Sequence, residues 1–161
     1  MINNPVSNQK SFDDSKKKYL YSVWNSNPAL LRLLNKMTKG GKKSKASNIL
    51  SSVIRNLKSI NPIYSALESA QPVVEVRSIR VGRLTRQVPI GVAHNRQEGI
   101  AIRWLIEVSR NQKKTKHNRI DLVLSKEIQD ASTSKGSVIT RRNELYKLAD
   151  INRVFARPRW W

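Results

Sequence analysis

The first residues in the chain whose types could do chemistry are Gly40-Gly41-Lys42-Lys43-Ser44, since glycines followed by lysine and serine can cradle a nucleotide's phosphates. The spacing denies this. A phosphate loop has glycine five residues before its Gly-Lys pair and Ser or Thr directly after the lysine, and here those positions hold Lys36 and Lys43. What remains is a tight helix–helix turn whose lysines lie beside the next helix N-terminus, an arrangement suited to backbone phosphate. A second group, Arg77, Arg80, Arg83 and Arg86, has one acid near it, Glu75. The guanidinium fork makes bidentate contacts to phosphate and stacks on bases, so these arginines suit an arm laid along a nucleic-acid groove or backbone. The plain alternative is an edge ribbon using charge to block aggregation.

Two further clusters are basic. Lys113, Lys114 and Lys116, with Arg119, fall in a stretch read as a loop over 111–118, while Arg142, Arg153 and Arg157 run along the last helix and tail. On a helical wheel Arg142, Tyr146 and Arg153 share a stripe. Arg103 has Glu107 four residues on, a spacing at which the two can simply pair. Its neighbour Trp104 has core spacing with Ile100 and Val108, which favours packing over base stacking.

Material for catalysis is missing. The chain has no cysteine and only His94 and His117, which removes disulfides, thiolate zinc sites and Cys nucleophiles. Neither Gly-x-Ser-x-Gly nor His-Glu-x-x-His occurs. Asp121, Glu127 and Asp130 read as solvated, ion-paired acids on helix faces. The expectation is no enzyme, no cofactor, no metal and no small-molecule substrate.

Charge decides the partner class. With 31 Lys+Arg against 11 Asp+Glu, the 161-residue chain carries +20 at neutral pH, and a free domain so charged repels itself. A polyanion is therefore expected, nucleic acid before an anionic membrane surface. No apolar run is long enough for a membrane span, and Met1–Lys18 lacks the features of a secretory signal or an Arg-rich transit peptide.

The elements that must carry these residues read as mainly α. Residues 1–26 form a partly ordered basic arm with Lys16-Lys17-Lys18, and 27–161 a single domain. Asn27-Pro28 opens a helix with Leu30, Leu33, Leu34 and Met37 on one face, which Gly40-Gly41 ends. Ala46, Ile49, Leu50, Val53, Ile54 and Leu57 define a second helix, and Asn61-Pro62 opens a third with Ile63, Ala66, Leu67 and Ala70. From Arg32 to Lys58 there are eight basic residues and no acid. At about 72–92 the pattern becomes β-branched, giving a hairpin of Val73–Val81 and Leu84–Val92 with its turn near Gly82. Helical spacing returns at Ile100, Ala101, Trp104, Leu105 and Val108, then at Ile120, Val123, Leu124, Ile128 and Ala131. After Gly136 a last helix holds Val138, Leu145, Leu148, Ile151 and Phe155 as its core face. The sum is a bundle of about six helices with a protruding two-stranded hairpin between the third and fourth.

Several segments then resemble a known family. The run 72–82 (Pro-Val-Val-Glu-Val-Arg-Ser-Ile-Arg-Val-Gly), Gln87-Val88-Pro89 and Ala101-Ile102-Arg103-Trp104 are similar to the central block of the bacterial-type seventh small-subunit ribosomal protein. Asp130-Ala131, Lys135-Gly136, Arg141-Arg142, Leu148-Ala149, Asn152-Arg153 and Phe155-Ala156 continue the likeness, with Gly41-Lys42-Lys43 and Ala46 upstream, over roughly residues 29–160. The resemblance implies a helical bundle with an extruded hairpin that binds the 3′ major domain of small-subunit rRNA and nucleates assembly of the subunit head. Neighbouring head and platform proteins, exit-site tRNA and mRNA are the further partners it implies. Carried over, the rRNA-facing residues are Lys42, Lys43, Arg77, Arg103, Arg141, Arg142, Arg153 and Arg159, to which the clusters above add Lys113, Lys114, Lys116 and Arg157. Arg80, Arg83 and Arg86 fall at the hairpin tip, toward tRNA and mRNA.

The sequence departs from the family in three places. The turn before Gly41 has one residue more than the usual pattern, the N-terminal arm is Asn-rich, and the chain stops at Trp160-Trp161. The abrupt end resembles mitochondrial, plant-type members, so the expected location is the mitochondrial matrix, with chloroplast or bacterial cytoplasm as alternatives. Two rivals compete with the ribosomal reading. A DNA-bending protein often wedges an apolar residue or proline at its arm tip, where this one has Arg80 to Arg86 with Leu84. An RNA-processing enzyme would need an acid–base pair that the sequence lacks.

Overall fold

The computed structural model describes residues 26–116 and 119–156, which divide into two compact units at Ser51/Ser52. In the first unit, α1 (Pro28–Met37) begins behind Asn27, whose extended backbone (φ −121°, ψ 100°) is that of an N-cap, with proline in the first turn. Leu30, Leu33, Leu34 and Met37 are buried, as their spacing requires, and Arg32 and Lys36 are exposed. The helix stops earlier than glycine placement suggests. Thr38 is the C-cap, its amide and its hydroxyl both donating to the Leu34 carbonyl. Gly40 and Gly41 (φ +59° and +70°) instead form the turn into α2 (Lys43–Leu57), where left-handed backbone suits residues without a Cβ.

Helix α2 runs across the unit boundary, with Ala46, Leu50, Val53 and Leu57 buried. In the second unit α3 (Asn61–Ala70) starts with Asn61 itself helical and Ile60 at the cap, one residue from the Asn-cap reading. Its buried residues are the expected Ile63, Ala66, Leu67 and Ala70. Next come β1 (Val74–Val81) and β2 (Leu84–Gly91), antiparallel, with Val81 opposite Leu84. The turn is therefore Gly82-Arg83, with Gly82 at φ +62°, the first central position at which a type II′ hairpin turn takes glycine.

Helix α4 (His94–Lys116) is the central element. Ile100, Ala101, Ile102, Trp104, Leu105 and Ile106 are all buried, and within this stretch only Arg103 faces solvent. Trp104 is core, as its spacing indicates. Helices α3 and α4 both pack on α5 (Ile120–Ser132), and α6 (Ser137–Ile151) touches α3, α4, α5 and β1. A 3₁₀ turn, Arg153–Phe155, follows and lies against β2. Among the described residues the architecture is thus six helices with one hairpin between the third and fourth, as periodicity indicates.

The α5–α6 corner holds a correction. Helix α5 ends in a Schellman motif: the Ser134 amide donates to Ala131 O (3.0 Å) and the Lys135 amide to Asp130 O (2.8 Å). The left-handed C′ residue of this motif is Ser134 (φ +56°). Gly136 (φ +92°) is the N-cap of α6, where an added Cβ would stand 3.0 Å from Glu127 Oε1 and from Asp130 Cβ. Glu127 itself is buried, contrary to its reading as a solvated acid. Its Oε1 accepts from the Val138 amide (2.9 Å) and its Oε2 from Gln112 Nε2 (3.0 Å), so it caps the next helix instead of pairing with a base. Asp121 is also buried and takes the Arg119 fork, at 2.9 and 3.2 Å.

Candidate nucleic-acid interface

A tight group of exposed bases in the first unit lies at the start of α2. Lys42 precedes the helix, Lys43 opens it and Lys45 follows, all exposed, and the first turn has no acid. A helix N-terminus carries partial positive charge from unsatisfied amides, so cations there are disfavoured by about 0.3–1 kcal/mol each. Three lysines and no acid form a local electrostatic mismatch that an incoming anion would relieve. Arg32, Lys36 and Lys39 of this unit, and Arg55 and Lys58 of the second, are exposed too, so all eight bases of the acid-free stretch face solvent.

The ribbon divides its arginines between two faces. Side chains alternate along each strand and opposed residues share a face, so Arg77 and Arg86 lie with Glu75, Ile79 and Val88, while Arg80 lies on the other side. Val88 is buried, which marks the first face as the inner one at the ribbon's root. There Arg86 stacks over the Phe155 ring at 5.0 Å. Glu75 accepts both arms of the Arg96 fork (2.8 and 2.9 Å) and sits 3.5 Å from Arg77. The Arg96 hydrogen bonds hold the Glu75 carboxyl below its ordinary 4.5, against an opposing push from burial and with help from the Arg96 and Arg77 charges. Arg80 donates to Gly82 O (3.2 Å), and Arg83, the second turn residue, is exposed. Arg80 and Arg83 are therefore at the tip, whereas Arg86 is three residues back and engaged with Phe155.

Helix α6 gives its two arginines intramolecular partners. Arg141 stacks over Trp104 (5.4 Å) and donates to Glu107 (2.8 Å), taking the acid expected to pair with Arg103. Arg103 is left exposed on α4. Arg142 donates to the Ser69 carbonyl near the end of α3 and lies over Tyr146 at 5.8 Å, and the Tyr146 hydroxyl accepts from the Val73 amide (3.1 Å). These contacts join α3, α6 and the ribbon's base. Arg153 is exposed.

Two expectations need correcting. The stretch 111–116 is not a loop, because α4 continues to Lys116. It contains no glycine or proline, and Gln and Lys are good helix formers. Lys113, Lys114 and Lys116 thus sit on the last turns of a helix, and their side chains, with Arg157 and Arg159, lie outside the described residues. The apolar face expected for the last helix is buried only at its start. Val138 is buried, but Leu148 is 47% and Ile151 75% exposed, and among the described residues no element covers that end. Arg96 and the capping role of Glu127 escaped the sequence reading. A lone acid on a basic ribbon, Glu75, is the signal that could have prompted a search for its partner.

Among the described residues there is no cluster of His, Cys, Asp or Glu able to hold a metal, and no helix long and apolar enough to cross a membrane. A basic helical scaffold with a protruding arginine ribbon is the class of protein that the fold and its exposed bases define. Residues 6–153 match the family model described as ribosomal protein S7p/S5e, and the chain belongs to that family. The match starts inside the N-terminal arm, further upstream than the motif resemblance.

Relatives named small ribosomal subunit protein uS7 support this assignment. The one from Wigglesworthia glossinidia brevipalpis is 39% identical over 143 residues, 85% of this chain and 89% of that protein. Those from Rhodobacter capsulatus (36% over 137 residues) and Sulfurovum sp. (37% over 138 residues) each span 81% of this chain and 86% of their own. All three are bacterial. This agrees with the bacterial-cytoplasm alternative and gives the mitochondrial expectation no support.

Proposed function

We propose that this chain is a structural constituent of the small ribosomal subunit that binds the 3′ major domain of its rRNA and nucleates assembly of the head. Its ribbon then lies near exit-site tRNA and the mRNA exit channel, and its flanks meet neighbouring head and platform proteins. One observation carries the reading: Lys42, Lys43 and Lys45 stand exposed at an acid-free helix N-terminus, an arrangement unfavourable to the protein alone and favourable once phosphate arrives.

The mechanism is electrostatic and geometric. Exposed Lys and Arg displace counterions from rRNA phosphates, while the buried faces of the same helices hold those bases at set spacings. Lys42, Lys43, Arg77, Arg103 and Arg153 are exposed for this role. Arg141 and Arg142 can serve it only with part of each guanidinium already engaged. Lys113, Lys114, Lys116, Arg157 and Arg159 complete the proposed set. The test is selectivity: at moderate salt the protein should retain a 3′ major domain fragment while other rRNA fragments dissociate, and equal retention of all fragments overturns the proposal. Replacing Arg80 and Arg83 should leave rRNA affinity largely intact and disturb tRNA or mRNA handling. Equal loss of rRNA binding would refute that division of labour.

A further inference from the structure

The ribbon is tied to the helices of the second unit at its root. The Tyr146 hydroxyl of α6 accepts from the Val73 amide, Glu75 takes both arms of the Arg96 fork from α4, and Val88 is buried beside them. Ties confined to one end of a ribbon make a hinge and leave its angle free. A lone pair of strands has no further sheet to stiffen it. Arg80 and residues 82–85 are all exposed, so the tip has no brace of its own among the described residues.

One contact lies further out, on the other strand. Arg86 of β2 stands over the Phe155 ring at 5.0 Å, and the 3₁₀ turn that carries Phe155 packs on β2. The Ile79–Arg86 pair is four residues beyond the Glu75–Ile90 pair, about 13–14 Å along the ribbon, and three residues short of Arg83. A tie at that distance from the hinge fixes the angle.

We infer that Arg86 is a positioning residue: stacked on Phe155, its guanidinium sets the angle at which the ribbon presents Arg80 and Arg83, and it does not itself contact tRNA or mRNA. The inference rests on the proposed reading that the tip meets those RNAs. Arginine suits the role because its guanidinium is planar and weakly hydrated, so it lies flat on an aromatic face while keeping its charge. No ion pair competes for it, since among the described residues no acid is within salt-bridge reach of Arg86. Lysine would bring the same charge without the plane, and tyrosine a plane without the charge.

That contrast supplies the test. The chain has no cysteine, so Thr85→Cys near the tip and Gln129→Cys on α5, both exposed, give two attachment points for nitroxide labels on the full chain. Electron dipolar spectroscopy on the free protein should give one narrow distance distribution. Arg86→Lys and Phe155→Leu should each broaden it at least twofold with helix content unchanged by circular dichroism, while Arg86→Tyr should keep it narrow. In small subunits carrying these variants, exit-site tRNA affinity should follow the width and not the charge, held by Arg86→Tyr and lowered severalfold by Arg86→Lys. A distribution already broad in the unmodified protein, or still narrow in both Arg86→Lys and Phe155→Leu, overturns the inference. So does tRNA affinity that falls with Arg86→Tyr and holds with Arg86→Lys, which makes Arg86 an RNA contact. Broadening without any change in tRNA affinity supports the brace and refutes only the reading of the tip.

Discussion

Reversing Lys43 to glutamate should make the free protein more stable and its rRNA complex weaker. Lys43 is the first residue of α2, exposed, with Lys42 and Lys45 beside it and no acid in the turn. A favourable charge at a helix terminus contributes about 0.3–1 kcal/mol, so replacing an unfavourable cation by a favourable anion gains roughly 0.6–2 kcal/mol at low ionic strength. For a chain of this size each kcal/mol moves Tm by about 2–4 °C, giving an upward shift of ~1–8 °C in thermal melts followed by circular dichroism. The gain should shrink in high salt. Filter binding to the 3′ major domain across a salt series should show the opposite sign, with the log–log salt slope shallower by about one unit. Lys43→Gln should give about half the stabilisation and the same loss of slope. A fall in Tm would refute the helix-terminus argument, and an unchanged slope would remove Lys43 from the phosphate contacts.

Three further outcomes follow from the fold. Ser134→Gly should raise stability by about 0.5–1 kcal/mol in denaturant titration, since glycine adopts the left-handed C′ backbone without Cβ strain. Glu127→Ala should destabilise by about 2–4 kcal/mol, because it strips the Val138 amide and Gln112 of a buried acceptor; a change under 0.5 kcal/mol would refute the capping role. The Glu75–Arg96 clamp should stabilise the ribbon at neutral pH and lose effect as pH falls below 4.5 through the depressed Glu75 value. Amide exchange in β1 should therefore be faster in Glu75→Gln than in the unmodified protein at pH 7, and the difference should close in acid.

Legibility tracked how local the governing physics is. The buried faces of α1, α2 and α3 follow from apolar spacing at three and four residues, and the hairpin turn from glycine's freedom at Gly82. Periodicity reveals an apolar stripe but not whether anything lies against it, which is why Leu148 and Ile151 look like core in sequence and are surface in the fold. The uniformly polar segment 111–116 carries no apolar period and so resembles a loop, although its residues suit a helix. Glu127 looks like any surface acid because its partners, Val138 and Gln112, come from two other helices. The ribbon arginines look like one cluster until strand alternation separates Arg77 and Arg86 from Arg80.

The central claim is that the exposed bases of the helix faces are the rRNA footprint. Lysine acetylation read by mass spectrometry, on the free protein and on its complex with the 3′ major domain, tests it most directly. Lys42, Lys43 and Lys45 should lose most of their reactivity in the complex. If they react as fast in the complex as in the free chain while binding is intact, the footprint lies elsewhere and the account is wrong.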